Sequence, residues 1–264
     1  MAICKDQSLM YLRERGYNVI RHPRAGISPL DLIGFQNGET LSLGALNELV
    51  STSDEPYPTI TPNQVATDIE GQSTSKMKIG IGINLLGTLV GALGGTIGAN
   101  FGYENAKKVA FQYSNVESDI AKPLAIGNYL REGDVDADNP ILREYVMGNG
   151  KLYVLYHVVR SDRLSATFEK GGSIAASVDA GKLKGSVGGN VGVDVSNAAN
   201  GKIVFTGPTK VAFGFKCLQI ILDDGELRLV AAQPGSLALA VGDEPEPGAS
   251  LLSEEAQLLD LGVA

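Results

Sequence analysis

Residues 76–86 read KMKIGIGINLL. Met77, Ile79, Ile81, Ile83 and Leu85 hold one parity, and Lys76, Lys78, Gly80, Gly82 and Asn84 hold the other. Strict period two describes a strand with one apolar and one polar face. Val109 and Phe111 resume the odd parity, so 106–116 is the expected return strand after a glycine-rich connector at 87–105. A second region repeats the pattern. Leu164, Ala166, Phe168, Ile174, Ala176 and Val178 share one parity, followed by the turn-like Asp179-Ala180-Gly181-Lys182. Leu183, Val187, Val191, Val193 and Val195 then share a face, with Lys184, Ser186, Asn190, Asp194 and Ser196 opposite. A membrane-crossing strand needs about 9–11 residues, and 76–86 has 11 while 183–196 has 14. Both runs are long enough, although ordinary half-buried antiparallel sheet alternates in the same way. Glycine weakens a static strand, so strands that keep many glycines suit a chain that changes shape.

The 264 residues allow one large domain or two small ones, with room for a sizeable core. Thirty-three glycines and no tryptophan set the composition apart. A net charge of −8 argues against nucleic acid and against polybasic docking on acidic lipid. The charge is uneven: Asp243, Glu244, Glu246, Glu254, Glu255 and Asp260 fall after residue 232, where no Lys or Arg occurs. Two cysteines make no disulfide framework, and MAICKDQS has no apolar signal region, which points to synthesis in a reducing cytosol. Residues 79–103 carry no charge over 25 positions, the length of a membrane helix. Eight of them are glycine, which makes a single-span anchor the weaker reading.

The element order reads as an α+β fold: antiparallel strands with short surrounding helices and a short apolar C-terminal helix or peptide. A helix is expected at 6–15, stopped by Gly16, and a short strand at 17–20 before breaks at Pro23 and Pro29. Apolar elements at 30–35 and 40–50 flank the turn Asn37-Gly38. The Ser/Thr/Pro-rich 51–63 reads as a loop, 65–70 as a strand, 118–131 as a helix and 134–139 as an acidic loop. The continuous apolar run 152–159 suits a strand buried on both faces. Strands follow at 203–205 and 211–215, and a hairpin joins 218–222 to 227–230. Three divisions result: a body over 1–232, a Pro-broken acidic linker over 233–250, and a terminal segment over 251–264. Residues 251–261, LLSEEAQLLDL, read as an amphipathic helix whose stripe of Leu251, Leu252, Leu258, Leu259 and Leu261 must dock somewhere. An apolar segment on such a tether is either a releasable latch or an ordinary docking helix.

No catalytic set can be assembled, so no enzyme activity is expected. His22 and His157 are the two histidines, far apart, and support neither a metal site nor a triad. Cys217, between Lys216 and Leu218, reads as a packed thiol. No phosphate-binding glycine loop is spelled. Cys4 lies beside Lys5, outside any core element. Ala2 excludes N-myristoylation there, and S-acylation is left open.

With this order laid out, the chain resembles the bacterial gasdermins. The resemblance rests on Cys4, the opening segment YLRERGYNVIRHPRAGISPLDLIGFQNG at 11–38, two glycine-rich amphipathic hairpin regions and a very short tail. It implies a twisted central antiparallel sheet with short surrounding helices and a short C-terminal inhibitory helix or peptide, in a pore-forming protein held inactive by that segment. A partner protease, caspase-like or other, removes the tail. The body then leaves the cytoplasm, oligomerises with membrane lipids and its own copies, and forms large β-barrel pores in the cell inner membrane. The implied outcome is death of the cell as antiphage defence. The resemblance also implies a palmitoyl group on Cys4, with no other cofactor. The membrane-inserting residues would be Met77, Ile79, Ile81, Ile83, Leu85, Val109, Phe111, Leu164, Phe168, Ile174, Val178, Val187, Val191, Val193 and Val195. Animal members carry a large inhibitory domain; with about thirty residues after its body, this chain is expected to match the bacterial form alone. The competing expectation is a static soluble β-rich binding module.

Overall fold

Residues 152–159 are buried without exception, and they form the middle of β11, which runs from Lys151 to Lys170. The structure is a computed structural model. It describes residues 12, 15–66, 79–81, 90–97, 108–135, 139–170, 173–174, 187–189, 192–197, 202–223, 226–230, 252, 259 and 261–262. The strands before β11 are β1 (Asn18–Arg24), β2 (Asp31–Gln36), β3 (Glu39–Ala45), β4 (Val50–Ser53), β5 (Ile60–Val65), β6 (Ile79–Ile81), β7 (Gly95–Ile97), β8 (Lys108–Ser114), β9 (Glu117–Ala121) and β10 (Gly133–Val135). After it come β12 (Ser173–Ile174), β13 (Val187–Gly189), β14 (Gly192–Asn197), β15 (Lys202–Asp223), β16 (Glu226–Val230) and β17 (Leu261–Gly262). Among the described residues the helices are α1 (Leu46–Leu49), α2 (Pro123–Arg131) and α3 (Pro140–Val146), besides single helical turns at 12 and 90–92.

β11 and β15, of 20 and 22 residues, lie antiparallel as a spine, and their neighbours change along its length. At one end β2 pairs with β11 and β16 with β15. In the middle, β9 lies beside β11 and β1 beside β15, with β5 outside β9. At the far end, β8 flanks β11, β14 flanks β15 and β6 lies outside β8. Alternation along the spine divides its side chains between two cores. Leu152, Val154, Tyr156, Leu218 and Ile220 face the helices, meeting Leu46, Leu49, Ile126, Leu130 and Leu142. Tyr153, Leu155, Val158, Phe215 and Cys217 belong to the opposite core.

The α+β expectation holds, as does the Asn37-Gly38 turn: both residues take positive φ, +53° and +84°, and β2 returns as β3. Gly16, at φ +76°, follows a helical turn at Leu12; residues 6–11 and 13–14 of the expected helix lie outside the described residues. Several local expectations are corrected. The loop at 51–63 contains β4 and β5. The single helix at 118–131 divides into β9 and α2, because Pro123 fits the first helical turn and restrains Lys122 to an extended backbone. The acidic loop at 134–139 begins as β10, and Asn139 caps the unforeseen α3 by accepting from the amides of Ile141 and Leu142. β1 continues through Pro23 to Arg24, where its pairing with β15 shifts register and leaves room for a proline. The strands expected at 203–205, 211–215 and 218–222 are all parts of β15.

The 25-residue uncharged stretch contains β6, a helical turn at 90–92 and β7. Among the described residues, no helix is long and apolar enough to cross a membrane, which says nothing of strands. The second hairpin region is also rearranged. β12 turns back on β11, with Ile174 opposite Glu169, instead of extending its parity. The 183–196 run contains β13 and β14, which pair with β7 and β15 and not with β11.

Candidate functional site: the docked tail and the apolar strand face

The terminal leucines sit in the second core. Leu252, Leu259 and Leu261 are 5%, 6% and 8% exposed and pack in one cluster with Ile20, Ile27, Ile33, Leu155, Phe215 and Cys217. The amphipathic helix expected over 251–261 is corrected where the segment is described. Leu259 forms a parallel bridge with Ile20, and Leu261–Gly262 is a strand parallel to β3, with Leu261 opposite Thr40. The reason is geometric. β1 and β3 both present sheet edges, and an extended chain between them satisfies backbone groups on both sides, which a helix cannot do. The Leu259 amide donates to the Val19 carbonyl at 2.8 Å. The tail thereby closes the circuit β1-β15-β11-β2-β3-β17.

Asn18 anchors the start of this contact, and sequence reasoning gave no sign of it. It is 4% exposed; its Oδ1 accepts the Leu252 amide at 2.9 Å, and its Nδ2 donates to Cys217 Sγ at 3.6 Å. Beside it, Tyr17 Oη lies 3.3 Å from His157 Nε2, and Lys216 Nζ sits 4.7 Å above the Tyr17 ring. The packed-thiol expectation for Cys217 holds: the residue is fully buried, and burial pushes its thiol well above the ordinary range. Burial, with a smaller contribution from Cys217, pushes the Tyr153 phenol up to about 12. Among the described residues, no cluster of His, Cys, Asp and Glu could hold a metal.

Beyond the middle of the spine, register joins the alternating segments. Ile79 stands opposite Phe111, which stands opposite Ala166; Ile81, Val109 and Phe168 form the next row. Tyr113, Leu164, Phe205 and Val193 form another. Directly opposed positions share a face, so Ile79, Ile81, Val109, Phe111, Leu164, Phe168 and Val193 occupy one face of a sheet built from both regions. Tyr113, Leu164 and Phe205 show that this face is buried near the body. The segment at 90–97 packs on β15: a Cβ added at Gly207 would lie 2.9 Å from the Leu93 carbonyl oxygen. Val90 and Leu93 are themselves buried. β7 and β13 clasp the two glycine-rich regions together, with Val187 opposite Ile97. Val195 lies in β14 and Ile174 in β12. Cys4, Met77, Ile83, Leu85, Val178, Val191, Leu251 and Leu258 lie outside the described residues.

The model of the Bacterial Gasdermin Family matches residues 20–226. The chain belongs to the bacterial gasdermin family. It is 40% identical to a gasdermin of Vitiosangium sp. (strain GDMCC 1.1324), over 99% of both chains. Identity to a gasdermin of a Desulfuromonadales bacterium is 32%, over 98% of each. The solved structure of a bacterial gasdermin from Bradyrhizobium tropiciagri superposes with a TM-score of 0.64 at 16% identity, over 97% of each chain, and shares the fold. Membership agrees with the expectation drawn from the opening segment, the two glycine-rich regions and the short tail.

Proposed function

We propose that this chain is an autoinhibited pore former, not an enzyme. Proteolytic removal of the tail activates it, and copies then assemble their apolar strands into a membrane β-barrel. The observation that carries the reading is the burial of Leu252, Leu259 and Leu261 between β1 and β3, at the end of a cuttable acidic tether. Three buried leucines, at about 1.5–3 kcal/mol each, make a contact modest enough to depend on the tether, and a cut within 233–250 converts a high local concentration into dilution. The opened β1 and β3 edges then lack their partner. Closed barrels satisfy every backbone group in lipid, and several copies can close one together.

Family membership supports, as part of the same proposal, a cytoplasmic resting form, a protease partner, insertion into the cell inner membrane, and cell death that halts phage. Cys4 is assigned a thioester-linked palmitoyl chain on the same basis, checked by an acyl mass that hydroxylamine removes and Cys4→Ala lacks.

The deciding experiment places a unique protease site between residues 233 and 250 and measures dye release from vesicles. Release only after cutting, and growth arrest by the body expressed alone, are expected. Equal behaviour of cut and uncut protein at equal expression would overturn the proposal and leave a static β-rich binding module.

A further inference from the structure

The ladder between β11 and its neighbours breaks along one line. Ser114 of β8 stands opposite Arg163, and Glu117 of β9 stands opposite Arg160. Three steps on one strand match three on the other, so β8 and β9 keep a single register with β11. Only the rungs Asn115–Asp162 and Val116–Ser161 are missing. Asn115 marks the break: its φ is +56°, in the left-handed region and outside regular strand geometry. Side chains occupy the gap. Asn115 Nδ2 donates to Asp162 Oδ1 at 3.0 Å, and the fully buried Ser161 hydroxyl donates to the Ser114 carbonyl while accepting the Arg163 amide at 3.0 Å. On the other side of β11, β15 leaves the ladder over 207–210, opposite Asp162 alone. Ion pairs flank the break: Arg160 with Asp119 at 2.9 Å, and Lys210 with Glu117. The described members of the proposed membrane face all lie on the far side of this seam.

We propose that Asn115 is a two-position hinge. In its left-handed form it keeps β8 and β9 apart. In an extended form it supplies the two missing rungs and fuses residues 108–121 into one strand alongside β11, coupling the apolar face rigidly to the body during insertion. No register slip is needed, which separates this gap from an ordinary bulge, where an extra residue shifts the ladder. The inference rests on the pore-forming reading.

The test compares cut wild-type protein with Asn115→Val and Asn115→Gly on vesicles of phosphatidylethanolamine and phosphatidylglycerol. Both variants lose the Asp162 contact, so they differ in backbone preference. Valine resists the left-handed form and glycine accepts it. Dye release about three- to fivefold faster for valine and slower for glycine is expected. A shift in the same direction for both, or none, would overturn the hinge. Should the valine variant not fold, Asn115→Ala takes its place with the same expected sign. If cut wild-type protein releases no dye, the pore reading fails, and hydrogen exchange on the full chain judges the hinge alone. Slower exchange of amides 115 and 116 in the valine variant than in the glycine variant supports it, and equal exchange overturns it.

Discussion

At the scale of single residues, Asn18 shows how one side chain can govern a whole segment. Its carboxamide spends its acceptor on the Leu252 amide and a donor on Cys217. Replacing it with alanine leaves a buried amide unpaired, a loss of about 1–3 kcal/mol. The Leu252 amide in Asn18→Ala should exchange with solvent about tenfold faster or more, read by hydrogen-exchange mass spectrometry. Tyr153 carries a pH prediction. Its phenol is raised from 10.0 to about 12, so the folded state holds that proton more tightly than the unfolded chain. Its contribution is complete below pH 10 and is lost as pH rises from about 10 to about 12, at about 1.4 kcal/mol per unit. The buried Cys217 thiol shifts the same way and adds to the loss. Urea midpoints should fall over that window, and Tyr153→Phe should fall less steeply. None of this was legible in the sequence. Asn18 and Leu252 stand 234 positions apart, and a buried carboxamide looks like any other Asn in a row of letters.

Among the elements, period-two alternation was the most readable signal, and it placed β6 opposite β8 correctly. The run at 152–159 likewise announced the buried centre of β11. The second region misled because alternation fixes a face and not a partner. The valines of 183–196 suited a hairpin with β11, yet β14 pairs with β15 and β13 with β7. The tail misled for a related reason. Leucines at 251, 252, 258, 259 and 261 fit a helical stripe, while the two open sheet edges that pair with Leu259 and with Leu261–Gly262 come from distant sequence. The parity itself gives a prediction. Asp placed at Ile81 or Val193 puts a charge on the proposed lipid face, costing about 2–4 kcal/mol per copy at mid-membrane at most, and a ring repeats that cost. Leakage by the cut protein should be abolished, whereas Asp at Gly80 or Gly192, on the other parity, should leave most of it. A second check locks an element in place. Asp194 faces Val204 across β14 and β15, so cysteines at both positions should form a disulfide that suppresses leakage until reduced.

For the whole molecule, the opening segment with its glycine-rich regions carried the family, and composition suggested where a linker lies. What composition could not supply was that the tail completes a circuit of strands. A severed segment of that kind should still act in trans. A peptide of residues 251–264, added at about millimolar concentration, should slow dye release by the cut protein in a dose-dependent way. The same peptide with Leu259 and Leu261 changed to Ser should not.

The spine has one more consequence, concerning how copies stand side by side. Level with β1, the body is five strands wide: β5, β9, β11, β15 and β1. At about 4.8 Å per strand, that is a breadth of about 24 Å. Four membrane strands per copy, tilted by about 40°, occupy an arc of about 25 Å. The two breadths agree, so in the proposed ring neighbouring bodies touch at their flanks without crowding. The arc of barrel that each copy supplies then matches the shoulder width of its body, and β11 and β15 run through both.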